Sequence, residues 1–264
     1  MTGIPNVFHG LEPGTTRFYL HALSALSEAK VPYLLGGAYA LAHYTGIARH
    51  TKDLDLFVKP ADAPRALEVL EQAGYRTEMT FSHWLGKAFC GDDFVDVIFS
   101  SGNGLCMVDD EWFAHAIPLE PGGDLLSPAE ELIWQKAYIM ERERFDGADI
   151  NHLFRACGPS LDWDRLLLRF GRHWDLLLGH LILFSFVYPA ERDRIPARVV
   201  ETLLERWRNE MNSDTGQEKV CQGTLLSRMQ YLSDTERWGY ADARLPPRGR
   251  MTSAQVTHWT AAAK

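Results

Sequence analysis

Residues 34–58 read LLGGAYALAHYTGIARHTKDLDLFV, and the decisive feature is a pair of aspartates, Asp53 and Asp55, one residue apart in an otherwise apolar run. In an extended chain residues i and i+2 share a face, so the two carboxylates project side by side while Leu54, Leu56 and Val58 point the other way. Like charges held that close repel, and a fold tolerates them when a cation sits between them. A third carboxylate, Asp96, has the same apolar framing in FVDVIFS. If its strand lies beside that of Asp53 and Asp55, three carboxylates converge on one spot.

Gly36 and Gly37 stand between a strand and a helix, where backbone N–H groups can approach an anion closely. Arg49 and Thr51, just ahead of the aspartates, offer a charge and a hydroxyl to the same phosphates. Paired carboxylates with a phosphate-bearing ligand are a common way of holding Mg²⁺. Taken singly, a G-G is a turn and a D-x-D is a strand end. Their combination, with a following h-D-h strand, is far rarer.

Outward from this stretch, the first half alternates helical and extended patterns, the sign of a layered sheet with helices. A helix capped by Thr15 or Thr16 is expected to reach Lys30, followed by VPYLL as a strand, a short helix through Ala40 and His43, and LDLFV as the next strand. Pro64–Ala73 reads as a helix stopped by Gly74. From Tyr75 to Ser100 the texture is strand, strand, strand, with a turn at Gly91 to Asp93. Ser127-Pro128-Ala129-Glu130 predicts a capping box with proline at the first helical position. Beyond it the chain reads helical to about Trp238. The expectation is an α+β fold: a mixed β-sheet with flanking helices over residues 1–125, a mostly helical domain over 126–240, and a flexible tail over 241–264.

Composition narrows the function classes. The chain has 264 residues, 46% of them hydrophobic and 23% charged, which is ordinary globular material. A net charge of -8 argues against coating nucleic acid non-specifically, which needs a basic face. The four cysteines, Cys90, Cys106, Cys157 and Cys221, form no C-x-x-C pair, so neither a zinc site nor a disulfide framework is suggested and a cytoplasmic location is expected. The start, MTGIPNVFHG, does not read as a signal peptide. The apolar run Leu176–Tyr188 is broken by Gly179, His180 and Ser185 and falls short of the roughly 18 residues of a membrane span, so it predicts a buried helix and no membrane partner. The histidines show no H-E-x-x-H spacing, and neither G-x-S-x-G nor a P-loop is present.

Gly36-Gly37, Arg49-His50-Thr51-Lys52-Asp53-Leu54-Asp55 and Val95-Asp96-Val97 resemble the nucleotidyltransferase superfamily of DNA polymerase β type, especially its small bacterial members from toxin–antitoxin and abortive-infection systems. The resemblance covers about the first half of the chain and extends into the first helices after it. It implies a mixed-sheet fold and transfer of a nucleoside monophosphate from a nucleoside triphosphate to a hydroxyl acceptor, with pyrophosphate leaving and Mg²⁺, or Mn²⁺ in its place, as cofactor. In those terms Asp53, Asp55 and Asp96 are the metal-binding and catalytic residues, while Gly36, Gly37, Arg49 and Thr51 hold the nucleotide. The abortive-infection branch also has a lysine in the next helix and then a D-x-x-D. Here Lys136 is the lysine, a candidate for the triphosphate, and Asp146 and Asp149 follow, with Phe145 where a basic residue is common. On their residue types alone, Lys136 equally fits a solvated helix lysine, and Asp146 and Asp149 fit a helix start.

The acceptor is left open between an RNA 3′ end, a protein hydroxyl and a small molecule. The alternative from another class is a non-catalytic triphosphate-binding or toxin–antitoxin module acting through a protein partner. It stands lower because all three expected carboxylates are present.

Overall fold

The computed structural model describes residues 8, 10–49, 51, 53–119, 123–212 and 218–262. His50 and Lys52 of the aspartate motif lie outside them. The chain divides into two compact units, residues 1–128 with 249–262, and residues 129–248.

In the first unit, the order is α1 (Pro13–Glu28), β1 (Leu34–Leu35), α2 (Gly37–Thr45), β2 (Asp53–Phe57), α3 (Ala63–Gln72), β3 (Arg76–Phe81), β4 (Leu85–Cys90), β5 (Asp93–Ile98), α4 (Asp110–Ala114), β6 (Ile117–Pro118) and β7 (Leu125–Leu126). The strands make one sheet in the order β3-β4-β5-β2-β1-β7-β6. It is mixed: β2 runs parallel to β5 and antiparallel to β1, while β3, β4 and β5 form an antiparallel meander. The α+β class follows directly.

The central pairing comes from the period-two pattern. Leu54, Leu56, Val95 and Val97 are completely buried, each stabilising the sheet by roughly 2 kcal/mol. Alternation then sends Asp53, Asp55 and Asp96 to the other face. Gly91, at φ +62°, takes the first central position of a two-residue turn, which sets Cys90 opposite Asp93 and so Lys87 opposite Asp96.

Several local expectations are corrected. α1 begins at Pro13, whose fixed φ suits the first helical position, so Thr15 and Thr16 are buried in the first turn and cap nothing. Thr15 instead donates to Asp93 Oδ2 at 2.7 Å. Of VPYLL only Leu34 and Leu35 pair as strand. Leu125 and Leu126, the expected boundary, extend the sheet, with Leu126 registered against Leu35. Ser127 Oγ is buried without a hydrogen-bond partner, so the expected capping box is not made.

The second unit contains α5 (Ala129–Ala137), α6 (Gly147–Cys157), α7 (Trp163–Phe170), α8 (Trp174–Val187), α9 (Ala197–Met211), β8 (Val220–Cys221), α10 (Leu232–Glu236) and β9 (Ala241–Asp242). Buried Glu131 is held by Arg165 at 2.5 Å and by Arg169 at 3.0 Å. An unpaired carboxylate in that position would be strongly destabilising. α8 covers the apolar run, but only one side is buried: Leu177, Leu181 and Phe184 are inside, while Ile182 and Phe186 are exposed. No described helix is long and apolar enough to cross a membrane.

Residues 241–264 depart most from expectation. In place of a flexible tail, the described part carries β9 and then α11 (Ser253–Ala261), which belongs to the first unit. Thr252 and Gln255 form a capping box at the start of α11, and Trp259 packs against Gly102 and His83. The cap at Thr252 and the buried Trp259 are what give this segment a fixed place.

Candidate active site

Parallel pairing of β2 with β5 places Asp55 directly beside Asp96, with Asp53 beside Phe94. Carboxylate oxygens of Asp53, Asp55 and Asp96 all lie within 4.8 Å of one another, and among the described residues no other group of His, Cys, Asp or Glu is brought together in this way. Asp53 and Asp55 are half-buried and Asp96 is 9% exposed. Burial raises the Asp96 pKa, the hydrogen bond and charge of Lys87 lower it, Asp53 raises it, and the net shift is upward. A site that sets its own anions together fits a cation-binding role: hard oxygen donors, closely spaced.

Positive potential is supplied from two directions. Lys87 on β4 donates to Asp96 Oδ1 at 2.6 Å, and its ammonium lies 3.9 Å from the Phe94 ring centre. α2 presents its N-terminus to Asp55: a Cβ on Gly37 would overlap Asp55 Oδ2, so the helix start lies directly against the carboxylate. The positive end of the helix dipole favours the anion there. Gly37 also has φ +52°, which an L side chain resists, and a Cβ on Gly36 would overlap the Phe57 ring. Gly37 is thus required by both conformation and space, and Gly36 by space alone.

One part of the glycine expectation needs correction. The Gly36 N–H is already given to the Asp55 carbonyl at 2.9 Å, as part of the β1–β2 connection. The groups left for an anion are those that begin α2, from Gly37 onward. Thr51 donates its hydroxyl to Asp53 Oδ1, so in this structure it orients a carboxylate. Arg49 is exposed.

Two tyrosines that the sequence reading passed over complete the surroundings. The Tyr19 and Tyr39 hydroxyls are both buried. Burial first, and then the charges of Asp53, Asp55 and Asp93, push both phenols up from their ordinary value.

Lys136 belongs to the second unit and is not a solvated lysine. It donates to Asp146 at 2.7 Å and to Asp149 at 2.8 Å, with all three side chains nearly buried. Asp146 also takes two hydrogen bonds from Arg144. Burial pushes the Asp146 carboxyl up, but Arg144 and Lys136 outweigh it and hold it at about 2 against the ordinary 3.8. The D-x-x-D is therefore a charge-paired helix entry rather than a simple dipole device.

A depressed carboxyl pKa stabilises the fold above its unfolded value and loses that contribution as pH falls through the folded one. The difference corresponds to about 2 kcal/mol. Asp146→Asn is expected to lower the melting temperature at neutral pH and to flatten its fall between pH 3.8 and about 2. Equal acid slopes for variant and wild type would contradict this.

A family model described as an uncharacterised nucleotidyltransferase matches residues 19–179, a span that takes in the whole carboxylate site and the helices after it as far as the first part of α8. The chain belongs to this nucleotidyltransferase family. No curated protein matches it. Among solved structures it is similar to the antibiotic-resistance factor ANT(2″)-Ia, with 19% identity, 75% of this chain and 94% of that chain covered, and a TM-score of 0.38. It is also similar to the lincosamide antibiotic adenylyltransferase LnuA, with 18% identity, 52% and 94% covered, and a TM-score of 0.40. For JHP933 from Helicobacter pylori the values are 16%, 77%, 98% and 0.39. With identities and TM-scores this low, the assignment rests on the family match.

Proposed function

We propose that the protein is a Mg²⁺-dependent nucleotidyltransferase that moves a nucleoside monophosphate from a nucleoside triphosphate to a hydroxyl acceptor and releases pyrophosphate. The observation that carries this reading is the convergence of Asp53, Asp55 and Asp96 beside the N-terminus of α2. In it, Asp53 and Asp55 hold the nucleotide-bound ion, and the N–H groups from Gly37 onward bind phosphate. When bound, Mg²⁺ neutralises phosphate charge and lowers the pKa of the acceptor hydroxyl.

Asp96 takes the acceptor proton as the acceptor oxygen bonds to the α-phosphorus and the bond to the pyrophosphate oxygen breaks. Thr51 fixes the rotamer of Asp53 through its hydroxyl. Arg49, exposed ahead of β2, supplies charge to the outer phosphates. Lys136, with both of its carboxylate partners in place, acts in this scheme by ordering the entry to α6.

Incubation with Mg²⁺ and each labelled triphosphate tests the reading: label transfer or pyrophosphate release supports it. Tight triphosphate binding without either would oppose it. Within the same scheme, Asp96→Asn is expected to slow transfer about a hundredfold or more while leaving triphosphate affinity near normal, because proton acceptance matters in the transition state and not in ground-state binding. Near-normal turnover in the folded variant would remove Asp96 from the chemistry.

A further inference from the structure

The three carboxylates share one face of the sheet with a cation of the chain's own. Lys87 stands opposite Asp96 in the β4–β5 register, donates to its Oδ1 at 2.6 Å and lies over the ring of Phe94, the residue paired across β2 with Asp53. Its side chain is 20% exposed and that of Asp96 is 13% exposed, so this is an enclosed pair rather than a surface one. A divalent ion that draws on Asp96 as well as Asp53 and Asp55 competes with Lys87 for Asp96 Oδ1, and two cations sharing one carboxylate repel.

We infer that Lys87 gates metal loading: it occupies Asp96 in the nucleotide-free protein and moves to a phosphate oxygen when the triphosphate arrives with its ion. The inference rests on the metal-site reading above and deepens it. A lysine suits such an exchange because its ammonium is a compact charge on a flexible stem with three rotatable donors. Among the described residues, Asp96 is the triad member with a lysine opposite it in the sheet register, so metal entry there trades one cation for another while Asp53 and Asp55 keep their positions. The triphosphate supplies the negative charge that Lys87 gives up on leaving Asp96. The pairing would also keep stray divalent ions out of a site that holds no nucleotide.

The test is Mn²⁺ binding, followed by the loss of the free-ion paramagnetic resonance signal, for wild type, Lys87→Met, Lys87→Arg and Asp53→Asn, with and without a non-hydrolysable triphosphate. Lys87→Met is expected to bind Mn²⁺ without nucleotide at least about tenfold more tightly than wild type, since a like charge a few ångströms away has been removed. Lys87→Arg keeps the charge and should bind weakly, as wild type does. Adding triphosphate should tighten Mn²⁺ binding more in wild type than in Lys87→Met. Melting curves without metal establish that each variant is folded, and Lys87→Gln replaces Lys87→Met if the latter is not.

A folded Lys87→Met with Mn²⁺ affinity equal to or weaker than wild type overturns the gate and leaves the metal site standing. Unaltered Mn²⁺ binding in Asp53→Asn overturns the metal-site reading, and the gate with it.

Discussion

Asp53→Asn and Asp55→Asn are each expected to cut nucleotidyl transfer about a thousandfold, at the upper end of what removal of a single electrostatic contact costs an enzyme, while the metal-free protein melts no lower than wild type. The two halves have one cause. Three carboxylates within 4.8 Å of one another repel by on the order of 3 kcal/mol per pair at an effective dielectric near 20, and Asp53 adds to the upward shift that burial gives Asp96. Lys87 and the start of α2 are set against it. Removing one charge therefore relieves the resting protein and disables the loaded one. Asp53 carries one qualification of detail: its partner Thr51 loses a charged acceptor but keeps an amide oxygen. A large drop in melting temperature without metal would mean that the aspartates are structural.

Gly37→Val is expected to be the most damaging single substitution in the glycine pair, costing roughly 3 kcal/mol or more of stability together with triphosphate binding. At φ +52° a branched residue is strained whatever the space around it, and here the added Cβ would also overlap Asp55 Oδ2. Either the start of α2 or the Asp55 carboxylate must move. Gly37→Ala carries the same overlap and the same left-handed φ with less bulk, so it should be damaged in the same direction and less severely. Denaturant melts and triphosphate titrations on the same preparations check this. Unchanged affinity in a folded Gly37→Val would take the helix start out of the phosphate site.

The site was largely legible because its residues obey short-range rules. Alternation around Asp53, Asp55 and Asp96 settles which face each occupies, and the buried neighbours Leu54, Leu56, Val95 and Val97 leave that alternation no other register. Adjacency of the two strands was an assumption, and the parallel β2–β5 pairing supplies it. Lys87 was within reach of the sequence too: a two-residue loop at Gly91–Asp92 forces Lys87 opposite Asp96, whereas a turn read loosely as Gly91 to Asp93 leaves the register undefined.

Other features depended on contacts that pattern does not carry. Lys136 reads as a surface lysine until the fold brings Asp146 and Asp149 to it. The Tyr19 and Tyr39 hydroxyls border the carboxylates only because α1 and α2 pack as they do, with the two rings 6.3 Å apart. The two-residue strands β6 and β7 are too short to show alternation, so the far edge of the sheet was invisible. The expected tail at 241–264 failed for the opposite reason: loop-like composition outweighed a capping box that was present in the sequence.

The most direct test of the central claim is an anomalous difference map from crystals of the protein grown with Mn²⁺ and a non-hydrolysable nucleoside triphosphate. The expected result is a manganese peak coordinated by the carboxylates of Asp53 and Asp55, within reach of Asp96, with the phosphates running toward the start of α2. A triphosphate bound with its manganese elsewhere, and Asp53 and Asp55 unliganded, would contradict it.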